Sequence, residues 1–460
     1  RGDIKRVNGK GESMTFETKG KEDNGATYGR RSDWQDLYSI AKKYYEALLA
    51  DPGNALFHLT DPRGASDKSG RTFNNPYQYF FEQMHMDDAI YADESIYEYP
   101  MQQGGGNDGR PYSFGRPSSG GSKAAYPCKS YGQGRINPAY FYGVFDPNDM
   151  RRDVSITMTG SNGKGVEKLI PFVPNSKAEG GGLTLNKWDE NRQANPWVAA
   201  QRKSGINGPY MRMSEVYLGY AEVCAALGDV VTGKQYLKTV RERSFPQGLA
   251  NTDAFIASFG NDLVRAIIEE RGFEYAGEGD RRWTLIRSGY LPEDIKRIKD
   301  MTKAMMDGLA TKGYYEFENG NIISAYIWTK LVDAKTIYGH RLTAQCPTDK
   351  VNDPVLYPGW RGQKDNWEEM GLNYGSSTPA TNLAIKGLFE IVSEEEAASL
   401  ESQGYTKVNW GIDLVDNRDE YDKYLFWDYD YVSAPIYLWP FTPNVMAAGG
   451  FTNGYGFKQE

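Results

Sequence analysis

One stretch, residues 211–287, constrains the fold more than any other part of the sequence because it carries two helical segments with a clear period. The first segment reads MRMSEVYLGYAEVCAALGD and the second reads LVRAIIEERGFEYAGEGDRRWTLIR. In the first, apolar side chains recur at steps of three and four, which predicts one apolar stripe on an amphipathic helix. The stripe has six members: Met213, Val216, Tyr217, Tyr220, Cys224 and Leu227. Arg212 and Glu222 fall outside it.

A second helix is predicted to cover this stripe. Gly228 stands where a left-handed residue would end the first helix, and Thr232 is the predicted cap of the next one. Tyr236, Leu237 and Val240 would then face back towards the first helix. The pattern predicts a helix hairpin of the tetratricopeptide kind.

The second segment, 262–288, is predicted to pack on 210–243 as the next repeat unit, with Trp283 in or beside the common core. Its charged residues could form an acid/base cluster. At helical spacings of three to four they more simply form ion pairs that lock one repeat to the next. These residues are Glu269, Glu270, Arg271, Glu274 and Arg281.

The rest of the chain alternates between helices and irregular segments, which together predict a mainly α fold in a single unit over 1–460. Helices are expected over 32–50, capped by Ser32 or Asp33, and over 75–92 and 292–312. Gly, Ser, Pro and Asn dominate a loop-rich excursion at 102–208, with short strands such as 154–159. A second excursion at 313–435 is interrupted by an acidic helix near 393–403.

Composition excludes several classes of function. The net charge of −8 offers no positive surface for nucleic acid. No run approaches the eighteen apolar residues of a membrane span. Three cysteines at irregular spacing form no zinc pattern, and Cys224 is expected to be a buried thiol. Aromatic content is 13%, with 33 tyrosines and 10 tryptophans, and such side chains suit recognition surfaces.

Motifs for catalysis or cofactors are weak, so we expect no catalytic residue, no metal site and no cofactor. The three histidines lie in different segments without a catalytic signature. Gly104, Gly106 and Gly109 match the dinucleotide spacing, but the helix that the motif requires is expected to be missing. Calcium remains the alternative at two acidic runs. Their oxygen donors are Asp146, Asn148, Asp149 and Asp153 in one and Asp416, Asp419, Glu420 and Asp422 in the other.

The pair of helical segments at 211–287 resembles the SusD/RagB family of outer-membrane nutrient-binding lipoproteins. Four further segments keep the family's order and resemble its motifs. They read SDWQDLYSIAKKYYEALLADPGNALF at 32–57, DESIYEYPM at 93–101, DPNDMRRDVSI at 146–156 and YLWPFTPNVMAAGG at 437–450. Five ordered matches over most of the chain make the resemblance specific.

The resemblance implies a binding protein rather than an enzyme. Family members lie on the outer face of the outer membrane in Bacteroidetes-type bacteria, anchored by a lipid on a cysteine, which here would lie outside this chain. They act with a SusC-like TonB-dependent transporter and capture oligosaccharides or, in some branches, peptides. The alternatives are a glycan-degrading enzyme and an interaction scaffold built on helical repeats.

Two departures from the family pattern shape the expectations. Arg1 leads directly into what resembles the family's middle, so we expect a C-terminal portion that lacks the earlier repeats. The helix at 32–50 should then be unusually exposed, because the N-terminal portion of the same protein would supply its partner. About 150 residues separate Ile286 from the closing segment, which indicates an insert particular to this branch.

Aromatic residues in the two excursions are the predicted ligand contacts, because the helical scaffold looks too regular to need the excursions for its own stability. Tyr112, Phe114 and Tyr131 flank glycines that would let the backbone approach a ligand. Trp360 and Trp367 enclose a polar run that contains Arg361, Gln363, Lys364, Asp365 and Asn366. We favour the two tryptophans, because tryptophan has the largest face for stacking on a sugar.

Overall fold

The computed structural model describes residues 6–7, 30–31, 33–62, 75–84, 92–105, 109–118, 129–161, 166–174, 181–189, 202–333, 381–421 and 441–450. Up to residue 212 the described elements are mostly short. They are β1 Arg6–Val7, β2 Arg30–Arg31, α1 Trp34–Ala50, α2 Pro76–Gln83, β3 Ser95–Tyr99, α3 Gly109–Phe114, a π-helical turn Tyr140–Val144, α4 Arg151–Ser155, β4 Ile156–Thr157, β5 Thr159–Ser161, β6 Glu167–Leu169, β7 Thr184–Leu185 and β8 Gly208–Arg212.

Longer helices follow residue 212 and build the frame of the molecule. In chain order the elements are α5 Met213–Ala226, α6 Val230–Glu242, α7 Thr252–Ala257, α8 Leu263–Glu274, α9 Asp280–Ser288, α10 Leu291–Lys312, β9 Tyr314–Glu316, β10 Ile322–Ser324, β11 Tyr326–Asp333, β12 Thr381–Lys386, α11 Glu394–Ser402, β13 Thr406–Asn409, α12 Gly411–Asp416, α13 Arg418–Tyr421 and α14 Pro443–Gly449. The fold is mainly α, as predicted. The predicted helices at 292–312 and 393–403 are confirmed as α10 and α11, whereas the helix expected over 75–92 is the shorter α2.

Strands in the described ranges pair antiparallel in small sheets. Five are two-stranded ribbons, namely β1–β2, β3–β8, β4–β7, β5–β6 and β9–β10, and one is a three-stranded sheet in the order β12–β11–β13. The described part of 313–435 therefore contains more strands and helices than the predicted loop-rich excursion with one acidic helix. Strand β11 pairs with a strand that begins nearly fifty residues later, and such a non-local partner leaves no periodic signal in the sequence.

The hairpin of α5 and α6 confirms the predicted turn but not the predicted cap. Gly228 adopts φ +92°, the left-handed conformation that ends α5. Asp229 caps α6, because its carboxylate accepts a hydrogen bond of 3.2 Å from the backbone N–H of Thr232. An acceptor placed three residues before the amide that it satisfies is the favoured geometry, so the cap lies at Asp229 and not at Thr232.

Helix α5 is covered on more than one side. Four of the six stripe residues, including Val216 and Tyr220, are buried, and Tyr217 and Leu227 are partly buried. Leu237 on α6 is buried opposite them. On the side of α1, Cys224 packs in a cluster with Tyr220 and with side chains of α1, which confirms a buried thiol. On the side of α8, Leu218 packs in a second cluster that contains Leu237. The consecutive packing of the repeat units is thereby confirmed.

The prediction for Trp283 in the repeat core was also wrong, since its side chain is 57% exposed. On α9 the buried positions are Thr284, Leu285 and Ser288. Leu285 packs with Ile268 of α8 in one cluster. The indole of Trp283 therefore falls on the outer side of α9, one position away from the residues that face the frame.

Buried ion pairs join the repeats, as the charge spacing predicts. Glu274 lies 2.5 Å from Arg212, 2.7 Å from Arg243 and 3.1 Å from Arg151, and all four side chains are buried. Four further pairs link α5, α6, α8 and α9. They are Arg241–Glu270 at 2.8 Å, Arg271–Glu215 at 2.7 Å, Arg281–Glu269 at 2.7 Å and Arg287–Glu222.

The excursions share a core with the helices, so the expectation that the frame does not need them was wrong. One large hydrophobic cluster joins Phe273 of α8 and Met305 of α10 to Phe141, Phe172 and Ile385. Removing either excursion would expose these frame residues to water.

Helix α1 is exposed to the degree that the sequence predicts, since none of its residues is buried. It packs on α5 through one face, while Leu37, Ile40 and Tyr44 are exposed on the other. Its N-cap position is Asp33, one of the two predicted residues, although the side chain makes no capping hydrogen bond. Among the described residues no helix is both long enough and apolar enough to cross a membrane.

Candidate ligand-binding site

The ribbon formed by β3 and β8 presents three exposed tyrosines. Tyr97 and Tyr99 alternate along β3, while Tyr210 lies on β8. Their side chains are 56%, 63% and 77% exposed. The rings of Tyr97 and Tyr210 meet edge to face, with centroids 5.5 Å apart. Exposed ring faces next to phenolic hydroxyl groups are what a ligand with both apolar faces and hydroxyl groups requires.

Irregular pairing explains why these rings lie together. Tyr97 pairs with Met211, but the next residue, Glu98, pairs with Pro209, so Tyr210 is an extra residue between two registered pairs. A β-bulge of this kind bends the strand and re-aims the side chain that it carries. Tyr210 is thereby brought beside Tyr97 on the exposed surface.

Buried contacts hold the other side of the ribbon in place. The carboxylate of Glu98 accepts hydrogen bonds from the backbone N–H of Ala92 at 2.9 Å and from the side-chain amide of Asn207 at 2.8 Å. Arg212, the last residue of β8, belongs to the buried ion-pair network through Glu274. The exposed tyrosines therefore stand on a support that is fixed to the helical frame.

The two chains of the ribbon continue side by side beyond β3 and β8. The Asn207 side chain accepts a hydrogen bond of 2.8 Å from the Met101 backbone, and Gly104 N–H donates to the Lys203 carbonyl at 3.0 Å. Arg202, next to Lys203 in this extension, adopts an unusual φ of +64°. Tyr210 is eight positions after Arg202, so these two residues of the surface lie at most about 29 Å apart.

A second aromatic cluster lies at the Arg202 end. The rings of Tyr112 and Tyr131 meet edge to face with centroids 5.0 Å apart, and Tyr131 N–H donates to the Tyr112 carbonyl at 2.8 Å. The Arg202 guanidinium carbon lies 4.3 Å from the centre of the Tyr112 ring, and Lys129 Nζ lies 5.2 Å from that of Tyr131. The predicted residues Tyr112 and Tyr131 are thus brought together, with two cations that the sequence analysis missed.

Contacts within this cluster lower the pKa of the Tyr112 hydroxyl group from its ordinary value. A hydrogen bond with Tyr131 lowers the pKa of the Tyr112 hydroxyl, and burial acts in the opposite direction. A hydrogen bond with Arg202 and the nearby charges of Arg202 and Lys129 lower the pKa further. The field around this hydroxyl group is positive.

Three details of the prediction for this region were wrong. Tyr112 and Phe114 lie on the short helix α3 and not in a loop, and Tyr112 is buried. The same helix begins at Gly109, so a six-residue helix does follow the GxGxxG spacing. The neighbouring glycines approach the protein itself: a Cβ on Gly132 would stand 2.4 Å from Pro117, and one on Gly134 would stand 2.6 Å from Leu185.

The remaining predicted contacts divide into one that the structure places and two that it does not describe. Phe114 is 44% exposed, and its ring lies near Gly134. Trp360 and Trp367 lie outside the described residues. The tyrosines of the ribbon were not predicted as contacts, although the alternation at 97–99 was a usable signal, because residues two apart share one face of a strand.

In the first acidic run considered for calcium, two of the four oxygen donors are engaged in ion pairs. Asp149 pairs with Arg151 at 2.6 Å, and Asp153 pairs with Arg152 at 3.0 Å. Within the described ranges no three His, Cys, Asp or Glu residues are grouped so as to hold a metal ion. Asp422 lies outside those ranges, as do His85 and His340. His58 contacts Asp93 at 2.8 Å.

Comparison with known proteins identifies the family. The sequence model of the SusD family matches residues 56–440, which is most of the chain, so this chain belongs to that family. A SusD-like protein of Formosa agariphila is 28% identical over 160 residues. That match covers 35% of this chain and 26% of the relative.

Two solved structures are similar to parts of this chain. A SusD homolog from Bacteroides thetaiotaomicron has a TM-score of 0.39 at 17% identity and covers 58% of this chain and 51% of its own. Surface glycan-binding protein A from the same organism, in complex with laminarihexaose, has a TM-score of 0.38 at 18% identity, with coverages of 57% and 52%. The chain therefore spans about half the length of these solved structures.

Proposed function

We propose that this chain captures oligosaccharides on the exposed face of the β3–β8 ribbon. The observation that carries the proposal is the set of three tyrosines that are more than half exposed on a ribbon fixed to the frame. A pyranose ring has an apolar face that stacks on an aromatic ring, and its hydroxyl groups bond to phenols and amides. By analogy with aromatic pairs, each stack contributes about 0.5–1.5 kcal/mol beyond area burial. Several contacts along one polymer would then add up to useful affinity.

Substitution of the ribbon tyrosines tests this proposal. Tyr210→Ala and Tyr97→Ala should each weaken binding of an oligosaccharide, selected on a glycan array, by about 2- to 12-fold, the equivalent of one lost stack. The melting temperature should stay unchanged, because both rings are exposed. Tyr44→Ala is the matched control, since Tyr44 is 74% exposed but lies on α1. Equal affinity for all three variants would contradict the proposal.

Tyr112, Phe114 and Tyr131 are proposed as further contacts at the Arg202 end of the same surface. Phe114 offers an exposed ring, whereas Tyr112 is mainly covered and would contribute through its hydroxyl group. Trp360 and Trp367 are proposed as contacts from the second excursion. For Trp360→Ala and Trp367→Ala, unchanged melting with lost affinity would support a contact with the ligand. Early melting would mean that the indoles form the core of their own segment.

The proposal is for binding without catalysis and without a cofactor. Family membership supports a binding role. Purified protein should release no shorter sugars from any glycan that it binds, and chelation with EDTA should leave affinity unchanged. Hydrolysis that disappears when one carboxylate is substituted would favour the alternative of a glycan-degrading enzyme. Loss of affinity in EDTA that calcium restores would favour the calcium alternative.

We further propose that the chain acts at the outer face of the outer membrane with a SusC-like TonB-dependent transporter, anchored through a cysteine outside this chain. The exposed stripe of Leu37, Ile40 and Tyr44 on α1 is proposed as the surface for the N-terminal portion of the same protein. Co-purification of a transporter with this protein from outer-membrane fractions tests the proposed partnership. Cross-linking from the variant Ile40→Cys tests the proposed surface for the N-terminal portion, and a cross-link to another protein would contradict that proposal.

A peptide ligand is the second candidate within the family. Hydrogen-bonding side chains beside exposed aromatic rings also suit a peptide, so a peptide array should accompany the glycan array. Binding of peptides alone would replace the oligosaccharide proposal. Binding of a partner protein with neither ligand would favour an interaction scaffold.

A further inference from the structure

We propose that the ribbon surface selects anionic oligosaccharides and that Lys129 and Arg202 bind the carboxylate or sulfate group of the sugar. This inference rests on the proposed glycan-binding function and specifies its ligand class. Carboxylate and sulfate groups share the chemistry that matters here, namely a fixed negative charge on oxygen atoms that accept charge-assisted hydrogen bonds.

The first observation is a local excess of positive charge. Four described segments build the surface: 95–105, 109–118, 129–137 and 202–212. Together they contain seven basic residues and one acidic residue, Glu98, whereas the whole chain carries a net charge of −8. Glu98 is buried beneath the ribbon. Arg116 and Arg212 are buried as well, so these segments leave five basic residues and no acidic residue partly or fully exposed, and such a local excess of positive charge attracts anionic ligands.

The second observation concerns which of these cations already have acidic partners. Arg116 pairs with Glu167 and Asp189, and Arg212 pairs with Glu94, Glu274 and Glu278. No acidic side chain among the described residues pairs with Lys129, Arg202 or Lys203. An exposed cation that is not neutralised by the protein keeps its full charge for a ligand.

The third observation is geometry. Arg202 is exposed and stands over the Tyr112 ring, and Lys129 stands over the Tyr131 ring, while the two rings touch each other. Both cations therefore lie on one aromatic platform rather than moving independently in solvent. An anionic oligosaccharide that crosses these two rings could present negatively charged oxygen atoms as acceptors to Arg202 and to Lys129. The sugar units that follow would run along the ribbon extension towards Tyr97 and Tyr210.

Titration calorimetry with matched ligands tests the inference. The ligands are oligosaccharides of equal length in three forms, neutral, uronate-bearing and sulfated, together with an acidic peptide. At least one anionic sugar should bind ten or more times tighter than the neutral sugar, and added salt should weaken that binding selectively. Comparing the uronate-bearing and sulfated forms decides which anionic group is preferred. Equal binding of neutral and anionic sugars overturns the inference and leaves the proposed function intact.

Variants assign the selectivity to the two cations. Lys129→Gln/Arg202→Gln should lose the preference for the anionic sugar by tenfold or more and should retain the affinity for the neutral one. The single variant Lys129→Gln should lose part of the preference for the anionic sugar, and Arg202→Lys should keep most of that preference. Lys312→Gln, an exposed lysine at the end of α10, is the charge-matched control. A preference that survives in the double variant overturns the inference.

Two further outcomes separate the inference from the function on which it rests. If no sugar of any form binds, both the proposed function and this inference are wrong. If the acidic peptide binds and no sugar does, the positive surface serves a peptide, and the sugar assignment is wrong.

Discussion

Charged side chains of the helical frame and of the ribbon surface differ in whether they have partners of opposite charge. In the frame, guanidinium groups next to α5 and α6 and on α8 are buried against carboxylates, as around Glu274. On the ribbon surface, Lys129 and Arg202 face solvent or aromatic rings without an acidic partner among the described residues. Charges in the frame are therefore committed to joining the repeats, whereas those on the surface remain available to a ligand. The difference separates residues that support folding from residues that support binding.

Breaking the centre of the frame network should have the largest effect on stability. Glu274→Ala would leave Arg212, Arg243 and Arg151 buried without one of their carboxylates. Removing one partner of a buried ion pair costs about 3–5 kcal/mol, because the remaining charge is not compensated. Urea denaturation measures this loss in the free energy of unfolding. Lys303→Ala removes an exposed pair with Asp307 and should cost well under 1 kcal/mol. Equal costs would contradict the distinction between the two kinds of charge.

Truncating a buried aromatic ring of the frame should cost nearly as much. Tyr220 is buried between α1, α5 and α6, and its ring meets Tyr236 at 4.8 Å. Tyr220→Ala should lower the free energy of unfolding by roughly 2–5 kcal/mol, the range for large-to-small changes in a core. Tyr44→Ala, on the exposed face of α1, should change it by less than about 0.5 kcal/mol. Thermal melts of the two variants would give the comparison directly.

Acid should weaken the frame through Glu269. Burial by itself raises the pKa of this carboxyl group, but Arg281, Arg297 and Arg265 outweigh it and lower the pKa to about 2 from an ordinary 4.5. Because the folded-state pKa lies below that of the unfolded chain, the carboxylate stabilises the fold above about pH 4.5, and this stabilisation is lost as the pH falls towards 2.

A glutamine variant isolates this contribution. The difference in unfolding free energy between the native protein and Glu269→Gln should shrink as the pH is lowered from 4.5 towards 2. Urea titrations at several pH values measure it. A difference that stays constant across this range would show that Glu269 is not held as a carboxylate by its arginine partners.

The sequence predicted the frame better than the surface, for a physical reason. A helix repeats its contacts every three to four residues, so the burial of Val216, Tyr220 and Leu237 could be read from spacing alone. The contact between Arg202 and Tyr112 joins residues ninety positions apart, and no periodic pattern marks it. Trp283 shows where prediction from spacing fails within the frame. Adjacent positions on a helix face different sides, so an error of one position exchanges a buried side chain for an exposed one.

The smallest expected effect on stability concerns that tryptophan. Trp283→Ala should change the free energy of unfolding by about 0.5 kcal/mol or less, since the indole is 57% exposed. A cost of several kcal/mol would restore the earlier expectation that Trp283 belongs to the core of the repeats. Chemical denaturation of Trp283→Ala and Tyr220→Ala under the same conditions would compare the losses in unfolding free energy directly.

Hydrogen exchange with and without a bound oligosaccharide tests the separation of frame and surface most directly. Backbone amides in α5, α6, α8 and α9 should exchange slowly in both states, because buried pairs and packed side chains hold these helices. Added ligand should slow exchange in 95–105 and 202–212 and leave the four helices unchanged. Protection that appears in the helices and not in the ribbon would place the ligand on the frame and contradict the account.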